Sequence, residues 1–268
     1  MFCSKTVIML TLFTVCATVV FCYMSVWFLL ALARKDNSIA DVAWGMGFML
    51  LAWVTFFYAD AGTVRHLVMN VCISVWAIRL SGYIYQRNAH KPGEDFRYRA
   101  WREAWGKNWV WRSYLQVFLL QGFFMLLIAL PLMVVANSGH TGWNRINSAG
   151  LIVFTIGFLF EAIADFQLAH FKSQESNKGK IMTSGLWQYS RHPNYFGEAV
   201  LWWGIFLMAV PLPYWYVALI SPVLLTWLLT HVSGVPMLES KYKNNPQFEQ
   251  YAQKTSAFIP LPPKKTGS

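Results

Sequence analysis

Charged residues are scarce in this sequence. Asp, Glu, Lys and Arg make up 13% of the 268 residues, whereas soluble domains carry about 25%. Hydrophobic residues make up 56% of the chain and aromatic residues 17%. So little charge cannot hydrate the surface of a soluble domain of this size. The composition therefore excludes an ordinary soluble enzyme and indicates a polytopic membrane protein.

The sequence also lacks the short motifs of several enzyme classes. It has no HExxH or CxxC spacing, no GxSxG turn, no GxxxxGK[ST] phosphate loop and no Rossmann fingerprint. Four cysteines, Cys3, Cys16, Cys22 and Cys72, lie in or beside apolar segments. This placement argues against a disulfide framework or a zinc site. We expect no metal centre, and any dinucleotide would have to be held by membrane helices and loops.

Seven apolar runs have the length of bilayer-spanning helices, about 17–25 residues. They lie at about 7–33, 39–59, 66–86, 114–136, 149–170, 195–211 and 214–237. The first run is interpreted as a retained span and not as a signal peptide, because it is long enough to cross a bilayer. Asn37 and Ser38 are expected to cap the second span. No soluble domain separates from these spans, so residues 1–268 are predicted to form a single integral membrane domain.

Lysine and arginine predict the orientation of the spans. The connections at 34–38, 87–113 and 171–193 hold two, seven and four cations, whereas residues 137–148 hold only Arg145. By the positive-inside rule, the basic connections and the C-terminus are cytoplasmic and the N-terminus lies outside. The net charge of +10 is therefore attributed to topology and anionic lipid headgroups, and no nucleic-acid partner is expected.

A polar stretch, GKIMTSGLWQYSRHPNYFGE at 179–198, joins two very apolar segments. Pro193 predicts the start of a helix, and the N-terminus of that helix would favour an anion. Asn194 and Glu198 share a face of this helix, and Gly197 would let another backbone or a flat ligand come close. An interfacial loop facing water is the alternative, but a carboxylate inside a span points to function. The polar candidates here are Lys180, Arg191, His192, Asn194, Tyr195 and Glu198.

The second span begins with a carboxyl group beside aromatic residues. Asp41, Trp44 and Phe48 are spaced three and four residues apart and so share one helical face. A carboxyl with aromatic walls suits a flat hydrophobic substrate. The alternative for Asp41 is an N-terminal charge that is stabilised by the helix dipole.

Arg79 and Tyr83 share a face of the third span, with Arg87 one turn further on. An unpaired cation inside the membrane is costly, so Arg79 is expected to pair with an anion or with Asp41, or else to extend its head to the interface. The following basic and aromatic segment, 87–113, would form a headgroup belt or a lid over a phosphate-bearing cofactor.

Glu161, Asp165 and Lys172 line one stripe at the end of the fifth span. The two carboxylates could accept hydrogen bonds from ribose hydroxyls or a nicotinamide amide, or could pair with Arg79 or Arg191. Glu239 follows the segment Ser-Gly-Val-Pro at the end of the seventh span, where a kink is expected. Glu239 could reach the same pocket.

The stretch GLWQYSRHPNYFGE at 185–198 resembles the signature of the steroid 5α-reductase-like membrane proteins. The resemblance extends to SIADVAWGMGF at 38–48, FEAIADFQLAHFK at 160–172, VSGVPMLE at 232–239 and QYAQKTSAFIPLPPK at 250–264. It covers most of the chain, with fitting order and spacing. A shorter part, RHPNY with the later Glu, also resembles membrane methyltransferases that use S-adenosylmethionine.

The resemblance implies an all-α protein with seven transmembrane helices and cytoplasmic loops closing over a cofactor pocket. The implied cofactor is NADPH, and the implied reaction is reduction of a carbon–carbon double bond conjugated to a ketone. The type substrate is a Δ4-3-ketosteroid. Hydride would come from NADPH, and a protonated carboxyl or a phenol would stabilise the enolate that forms.

Carried over by position, Asp41 falls where the family places an acid against the ketone, and Trp76 falls where it has a partner tyrosine. Because Trp has no acidic hydroxyl, Tyr83 or Tyr85 could take that role, or Asp41 could act alone. The substrate-lining candidates are Trp44, Phe48 and Trp76. The cofactor-binding candidates are Arg79, Arg87, Glu161, Asp165, Lys172, Lys180, Arg191, His192, Asn194, Tyr195, Glu198 and Glu239. The departures of this sequence from the pattern of the animal enzymes indicate a bacterial-type branch of the family. We therefore expect the protein to lie in the bacterial inner membrane.

Three functions follow from these residues. An NADPH-dependent reductase of a hydrophobic steroid or sterol-like enone suits the basic loops, because a 2′-phosphate needs Arg or Lys. A methyltransferase acting on a lipid or prenyl group would leave the cations near the pocket without an anion. A non-catalytic protein that binds lipid or assists assembly would leave Asp41, Glu161 and Asp165 buried without a reason. Membrane lipid is a partner in each case.

Overall fold

The computed structural model describes residues 2–59, 62–89, 93–139 and 142–264, with side chains from residue 6 onward. The side chain of Cys3 lies outside this set, whereas Cys16, Cys22 and Cys72 are free thiols. Across the described residues the chain is helical and forms no β-strand, apart from one isolated bridge between Ser190 and Ser256. The predicted all-α class is confirmed.

The chain divides into two compact units. The first unit contains Met1–Asn144 and Ala209–Ser221, and the second contains Arg145–Met208 and Pro222–Ser268. The helices of the first unit are α1 (Phe2–Arg34), α2 (Ile39–Tyr58), α3 (Val64–Ala89), α4 (Phe96–Trp105), α5 (Trp109–Ser113), α6 (Leu120–Ile128), α7 (Leu130–Ala136) and α10 (Trp215–Ala218). The two helices between α7 and α10 belong to the second unit. A π-helical turn, Tyr114–Leu119, joins α5 to α6.

The second unit is built on α8 (Arg145–Ser173) and α9 (Pro193–Ala209), followed by α11 (Ile220–Trp227), α12 (Val235–Ser240) and α13 (Pro246–Lys254). Helix α9 begins at Pro193, as the sequence predicted. The chain bends at Ser233–Gly234 between a π-helical turn, Leu228–Val232, and α12. The predicted interruption at this point is confirmed.

Six stretches of the described chain are long and apolar enough to cross a membrane. They are Thr6–Arg34, Ile39–Tyr58, Val64–Ala89, Phe96–Ile128, Arg145–Ser173 and Trp215–Ser240. The remaining predicted span, 195–211, corresponds to α9, which has 17 residues and lies at the lower length limit for a span. The topology with seven spans stays a prediction.

Two expectations from the sequence need correction. The segment 87–113 was expected to be a polar connection, yet α3 extends to Ala89 and residues 96–113 are almost entirely helical. The side chain of Asp95 starts α4, because it accepts a hydrogen bond from Arg97 N at 3.1 Å. Ser38 does precede α2, but its side chain makes no capping bond. Instead, Ser38 Oγ accepts a hydrogen bond from Asp95 N at 2.8 Å.

Candidate functional site

Helices α8 and α9 of the second unit touch through their backbones. A Cβ atom built on Gly157 would lie 2.4 Å from Leu201 N and 2.7 Å from Gly197 O. A Cβ on Gly204 would lie 2.4 Å from Phe154 N. Since contacts under 3.0 Å are essentially never seen for real Cβ atoms, only glycine allows this approach. The order of the contacts shows that the two helices run antiparallel.

Four polar side chains lie where this helix contact reaches the start of α9. A Cβ on Gly197 would lie 2.5 Å from Glu161 N, which confirms that Gly197 admits a neighbouring backbone. Glu161, Asp165 and Glu198 are 2%, 3% and 8% exposed. Asn194 Nδ2 donates a hydrogen bond to Asp165 Oδ1 at 3.1 Å. Burying three carboxyl groups within apolar helices is costly, which makes this cluster the candidate site of the second unit.

Asn194 leaves one acceptor open in this cluster. Its Oδ1 atom is buried and accepts no hydrogen bond from the described part of the chain. A buried acceptor without a donor costs about 1–3 kcal/mol. The arrangement is therefore suited to a ligand that brings its own N–H or O–H group.

The turn before α9, residues 185–192 and called the signature turn below, is tied to α8. Gly185 has φ +63°, and a Cβ there would also collide with the amide of Gln167. Gln167 Oε1 accepts a hydrogen bond from Leu186 N at 2.9 Å. Trp187 Nε1 donates to Ala164 O at 3.1 Å. These contacts fix the turn against the end of α8.

Arg191, His192 and Glu239 form one cluster, which the sequence assigned to the cofactor. Arg191 Nε and Nη2 donate to the two carboxylate oxygens of Glu239 at 2.8 and 3.2 Å. His192 Nε2 lies 3.1 Å from Glu239 Oε1. The His192 ring stacks on Tyr195, with centroids 5.6 Å apart. Glu239 does reach the signature turn, where it pairs with Arg191.

The two candidate lysines of the second unit, Lys172 and Lys180, are exposed. A groove of about 320 Å³ lies between the end of α8 and the segment 182–185. Gln167 and Gly185 line this groove. Gly185 is the first residue of the signature turn, and Gln167 is hydrogen-bonded to the turn at Leu186. The groove therefore shares its wall with the turn.

In the first unit, Asp41 is the centre of a separate hydrogen-bonded cluster. Asp41 Oδ2 accepts from Arg97 Nη2 at 2.6 Å and lies 3.9 Å from Arg87 Nη2. Asp41 Oδ1 accepts from the hydroxyl of Tyr98 at 2.6 Å. Gln121 Nε2 approaches the Tyr98 oxygen at 3.4 Å. The carboxyl group that was expected to face a ketone is thus held by α4.

The aromatic residues near Asp41 form part of the core. Phe48 and Trp76 are completely buried, and their rings are 5.6 Å apart. Trp44 packs edge-on against Phe48 at 5.0 Å and is partly exposed. Arg79 and Tyr83 lie half-buried on α3. Their assignment to substrate and cofactor stays a prediction.

Tyr98 is the functional candidate that the sequence analysis missed. It is 2% exposed and donates to Asp41, although the segment that carries it was expected to be a loop. The available signal was Asp95, a good helix-capping residue, directly before the run FRYRAWREAW. A helix there would have placed Arg97 and Tyr98 in its first turn.

Several known proteins are similar to this chain. An uncharacterised protein of Schizosaccharomyces pombe is 23% identical over 274 residues, which cover 88% of this chain and 74% of that protein. Delta(14)-sterol reductase erg24 of S. pombe is 40% identical over 93 residues, or 33% of this chain and 21% of the enzyme. No solved structure shows significant similarity to the chain.

Two shorter matches involve named enzymes. Steroid 5-alpha-reductase DET2 of Gossypium hirsutum is 39% identical over 56 residues, covering 21% of this chain and 22% of that protein. The probable O-methyltransferase ustE of Ustilaginoidea virens is 39% identical over 57 residues, covering 21% and 20%. The chain thus aligns with about a fifth of the length of each of the three named enzymes.

One family model covers most of the chain. Residues 27–255 match the model described as "Protein of unknown function (DUF1295)". The matched region includes α2 to α13, and with them both polar clusters. The chain therefore belongs to the DUF1295 family, which is the steroid 5-alpha-reductase-like family.

Proposed function

We propose that this protein is a membrane-embedded oxidoreductase of the sterol-reductase type. It would use NADPH to reduce a carbon–carbon double bond conjugated to a ketone in a hydrophobic substrate, such as the Δ4 bond of a 3-ketosteroid. The observation that carries the proposal is the buried group of hydrogen-bond acceptors at the start of α9, centred on Asn194. The similarity to two reductases supports the reaction class.

The acceptor group fits the polar end of a nicotinamide cofactor. Ribose hydroxyls and a carboxamide present O–H and N–H donors, and Glu161, Asp165 and Glu198 are carboxylates that accept such bonds. Asn194 Oδ1 adds a buried acceptor that the described residues leave unused. The exposed Lys172 and Lys180 could face phosphate groups, as an NADP-type cofactor requires.

When bound, NADPH supplies the hydride. The residues of the second unit orient the cofactor and exclude water from it. Because α8 and α9 touch through their backbones, Asn194 and Asp165 cannot shift apart easily. A ligand held by these two side chains would therefore be fixed in position, as transfer of a hydride demands.

Within the first unit, the Asp41 cluster contains a hydroxyl group suited to stabilising an enolate oxygen. Both oxygens of Asp41 already accept hydrogen bonds, and a carboxylate has no proton to donate. The single hydroxyl proton of Tyr98 is donated to Asp41 Oδ1, and it would turn from Asp41 to the ketone oxygen when the substrate binds, leaving Asp41 paired with Arg97. We assign the role of hydrogen-bond donor to Tyr98 and the positioning role to Asp41. Tyr98 thus takes the role for which the sequence offered Tyr83 or Tyr85.

The proposal places the protein in a membrane as a multi-pass protein. The six long apolar helices support this placement. The proposed orientation, with the C-terminus in the cytoplasm, rests on the distribution of cations. The proposed location in the bacterial inner membrane rests on the departures from the animal enzymes.

Cofactor binding to purified protein tests the proposal. NADPH, NADH and S-adenosylmethionine are titrated while the thermal stability is followed, because a ligand that binds only the folded state raises it. We expect NADPH to stabilise the protein. Asn194→Ala should weaken NADPH binding by about tenfold, the effect of losing one well-placed hydrogen bond. The exposed Asn108→Ala is the matched control and should bind as the wild type does.

A methyltransferase is the second candidate, since the chain matches a probable O-methyltransferase over 57 residues. The buried carboxylates would suit the amine of S-adenosylmethionine as well as they suit ribose. Stabilisation by S-adenosylmethionine alone, with no response to either nicotinamide cofactor, would refute the reductase and leave the methyltransferase as the function. Selective stabilisation by NADPH would lead to assays of NADPH oxidation with Δ4-3-ketosteroids.

A further inference from the structure

Residues 255–261, called the C-terminal strap below, run alongside the signature turn. Arg191 N donates to Ser256 O at 2.8 Å, and Leu261 N donates to Tyr189 O at 2.9 Å. Ser190 Oγ donates to Phe258 O at 2.8 Å. Three consecutive residues of the turn are thus each bonded to the strap, immediately before α9 begins.

Arg191 extends this attachment to α13 and Glu239. Besides its two bonds to Glu239, its Nη1 atom donates to Thr255 O at 2.7 Å and to Ala252 O at 3.0 Å. These carbonyls lie at the C-terminal end of α13, where helix carbonyls lack intrahelical partners and a cation is favoured. Four of the five N–H groups of Arg191 are therefore directed at the C-terminal part of the chain.

Helix α13 is anchored to the turn by further bonds. Asn245 caps its start by accepting from Gln247 N and Phe248 N, and Pro246 occupies its first position. The hydroxyl of Tyr251 donates to Trp187 O, and it lies 3.3 Å from Ser190 O. The capped helix therefore presents both Tyr251 and its last carbonyls to the signature turn.

From these contacts we propose that Arg191 and Glu239 are positioning residues and that the strap fixes the position of the N-terminus of α9. Asn194 follows Arg191 by three residues, so a displaced turn displaces the acceptor group. A guanidinium that makes four hydrogen bonds to its own chain has little capacity left for a cofactor phosphate. The part of this inference that concerns the cofactor rests on the proposed function.

Hydrogen exchange tests the strap without any ligand. Glu239→Gln removes the charge that pairs with Arg191, and we expect at least tenfold faster exchange at the amides of Arg191 and Leu261. Glu249→Gln on the exposed face of α13 is the matched control, because it makes the same change of charge on the next helix of the chain. Equal exchange in both variants would overturn the proposal.

Nucleotide selectivity separates positioning from phosphate binding. If Arg191 positions the pocket, Arg191→Lys should lower the affinities for NADPH and NADH by the same factor, about tenfold. Lysine keeps the charge but cannot form the bidentate pair with Glu239. The proposal would be overturned if Arg191→Lys bound both nucleotides as tightly as the wild type does. It would also be overturned if Glu239→Gln lost affinity for NADPH alone. If neither nucleotide binds the wild-type protein, the proposed function fails, and the exchange experiment still decides the role of the strap.

Discussion

The helix pairs α2–α3 and α8–α9 are both closely packed, but they are held by different means. Gly45 of α2 faces the side chain of Ser81, which in turn donates to Val42 O at 2.9 Å, and a Cβ on Gly45 would lie 3.0 Å from the backbone oxygen of Ala77. The aromatic contact between Phe48 and Trp76 continues the same interface. In α8–α9, by contrast, the glycines face backbone atoms. Side chains can adjust to a change, whereas backbone atoms of a helix cannot.

The difference extends to the polar cluster in each unit. Asp41 is placed by Arg97 and Tyr98, which belong to a short helix. The start of that helix is held by two hydrogen bonds, from Asp95 N to Ser38 Oγ and from Arg97 N to Asp95 Oδ1. Asn194 is placed by the crossing of two long helices. We infer that the first cluster can be altered through its hydrogen bonds and the second mainly through its helix contact.

The largest expected effect comes from adding one methyl group to the α8–α9 contact. Gly157→Ala would place a Cβ against backbone atoms of Leu201 and Gly197, and overpacking of this kind costs about 1–3 kcal/mol or more. Gly45→Ala should cost less, because the hydroxyl of Ser81 can rotate away and the nearest backbone atom, Ala77 O, would lie 3.0 Å from the new methyl group instead of 2.4 Å. Gly82→Ala, with no atom within 4 Å, should be stabilising by up to about 1 kcal/mol.

Thermal unfolding of the three variants in one detergent measures this order. A Gly157→Ala protein as stable as Gly45→Ala would remove the distinction between the two helix pairs. Because all three substitutions are glycine to alanine within long helices, differences in helix propensity cancel in the comparison.

The second prediction concerns turnover instead of stability. Tyr98→Phe removes one hydroxyl from the first unit and should lower turnover about 100- to 1000-fold, the range seen when an oxyanion donor is lost. NADPH-induced stabilisation should stay unchanged, since the cofactor is assigned to the second unit. Tyr216→Phe, an exposed tyrosine on α10, serves as the control in the same assay of NADPH oxidation.

Equal turnover in Tyr98→Phe and wild type would exclude Tyr98 as the donor and return Tyr83 and Tyr85 to consideration. A parallel loss of NADPH binding would instead show that the two clusters do not have the separate roles proposed for them.

The smallest effect is a pH dependence in the second unit. Burial raises the pKa of the Tyr251 hydroxyl above its usual value, which is about 10. Because the folded-state pKa is the higher one, the stability contributed by Tyr251 is fully present below about pH 10 and is lost as the pH rises through the folded-state pKa. The difference in Tm between wild type and Tyr251→Phe, corresponding to about 1 kcal/mol, should therefore shrink above pH 10. A constant difference from pH 8 to 11 would contradict this.

Most of the fold could be predicted because apolar runs and prolines act locally. The helix start at Pro193, the shared face of Asn194 and Glu198, and the interruption at Ser233–Gly234 depend on neighbouring residues alone. Residues 96–113 were misjudged for a related reason. Their charged and aromatic composition resembles a membrane-surface loop, and composition gives no information on whether such a segment is helical.

The site was harder to predict because its partners are distant in sequence. Arg191, Glu239 and Asp41 were chosen as site candidates from their residue types, but the bond from Arg191 to Glu239 and the bond from Tyr98 to Asp41 join positions that are 48 and 57 residues apart. Such pairs depend on packing, which no periodicity encodes. A sequence can show that a buried carboxylate needs a partner, yet the choice among several arginines and tyrosines is made in three dimensions.

The strap also has a consequence for the order in which the protein is made. Its residues are translated roughly seventy positions after Arg191, which takes about 4–14 seconds at usual rates of synthesis. During that interval the signature turn has been synthesised while Ser256, Phe258 and Leu261 do not yet exist. The turn is therefore completed late in biogenesis, and ribosomal pausing between codons 192 and 255 would prolong the period in which the nascent chain lacks this attachment.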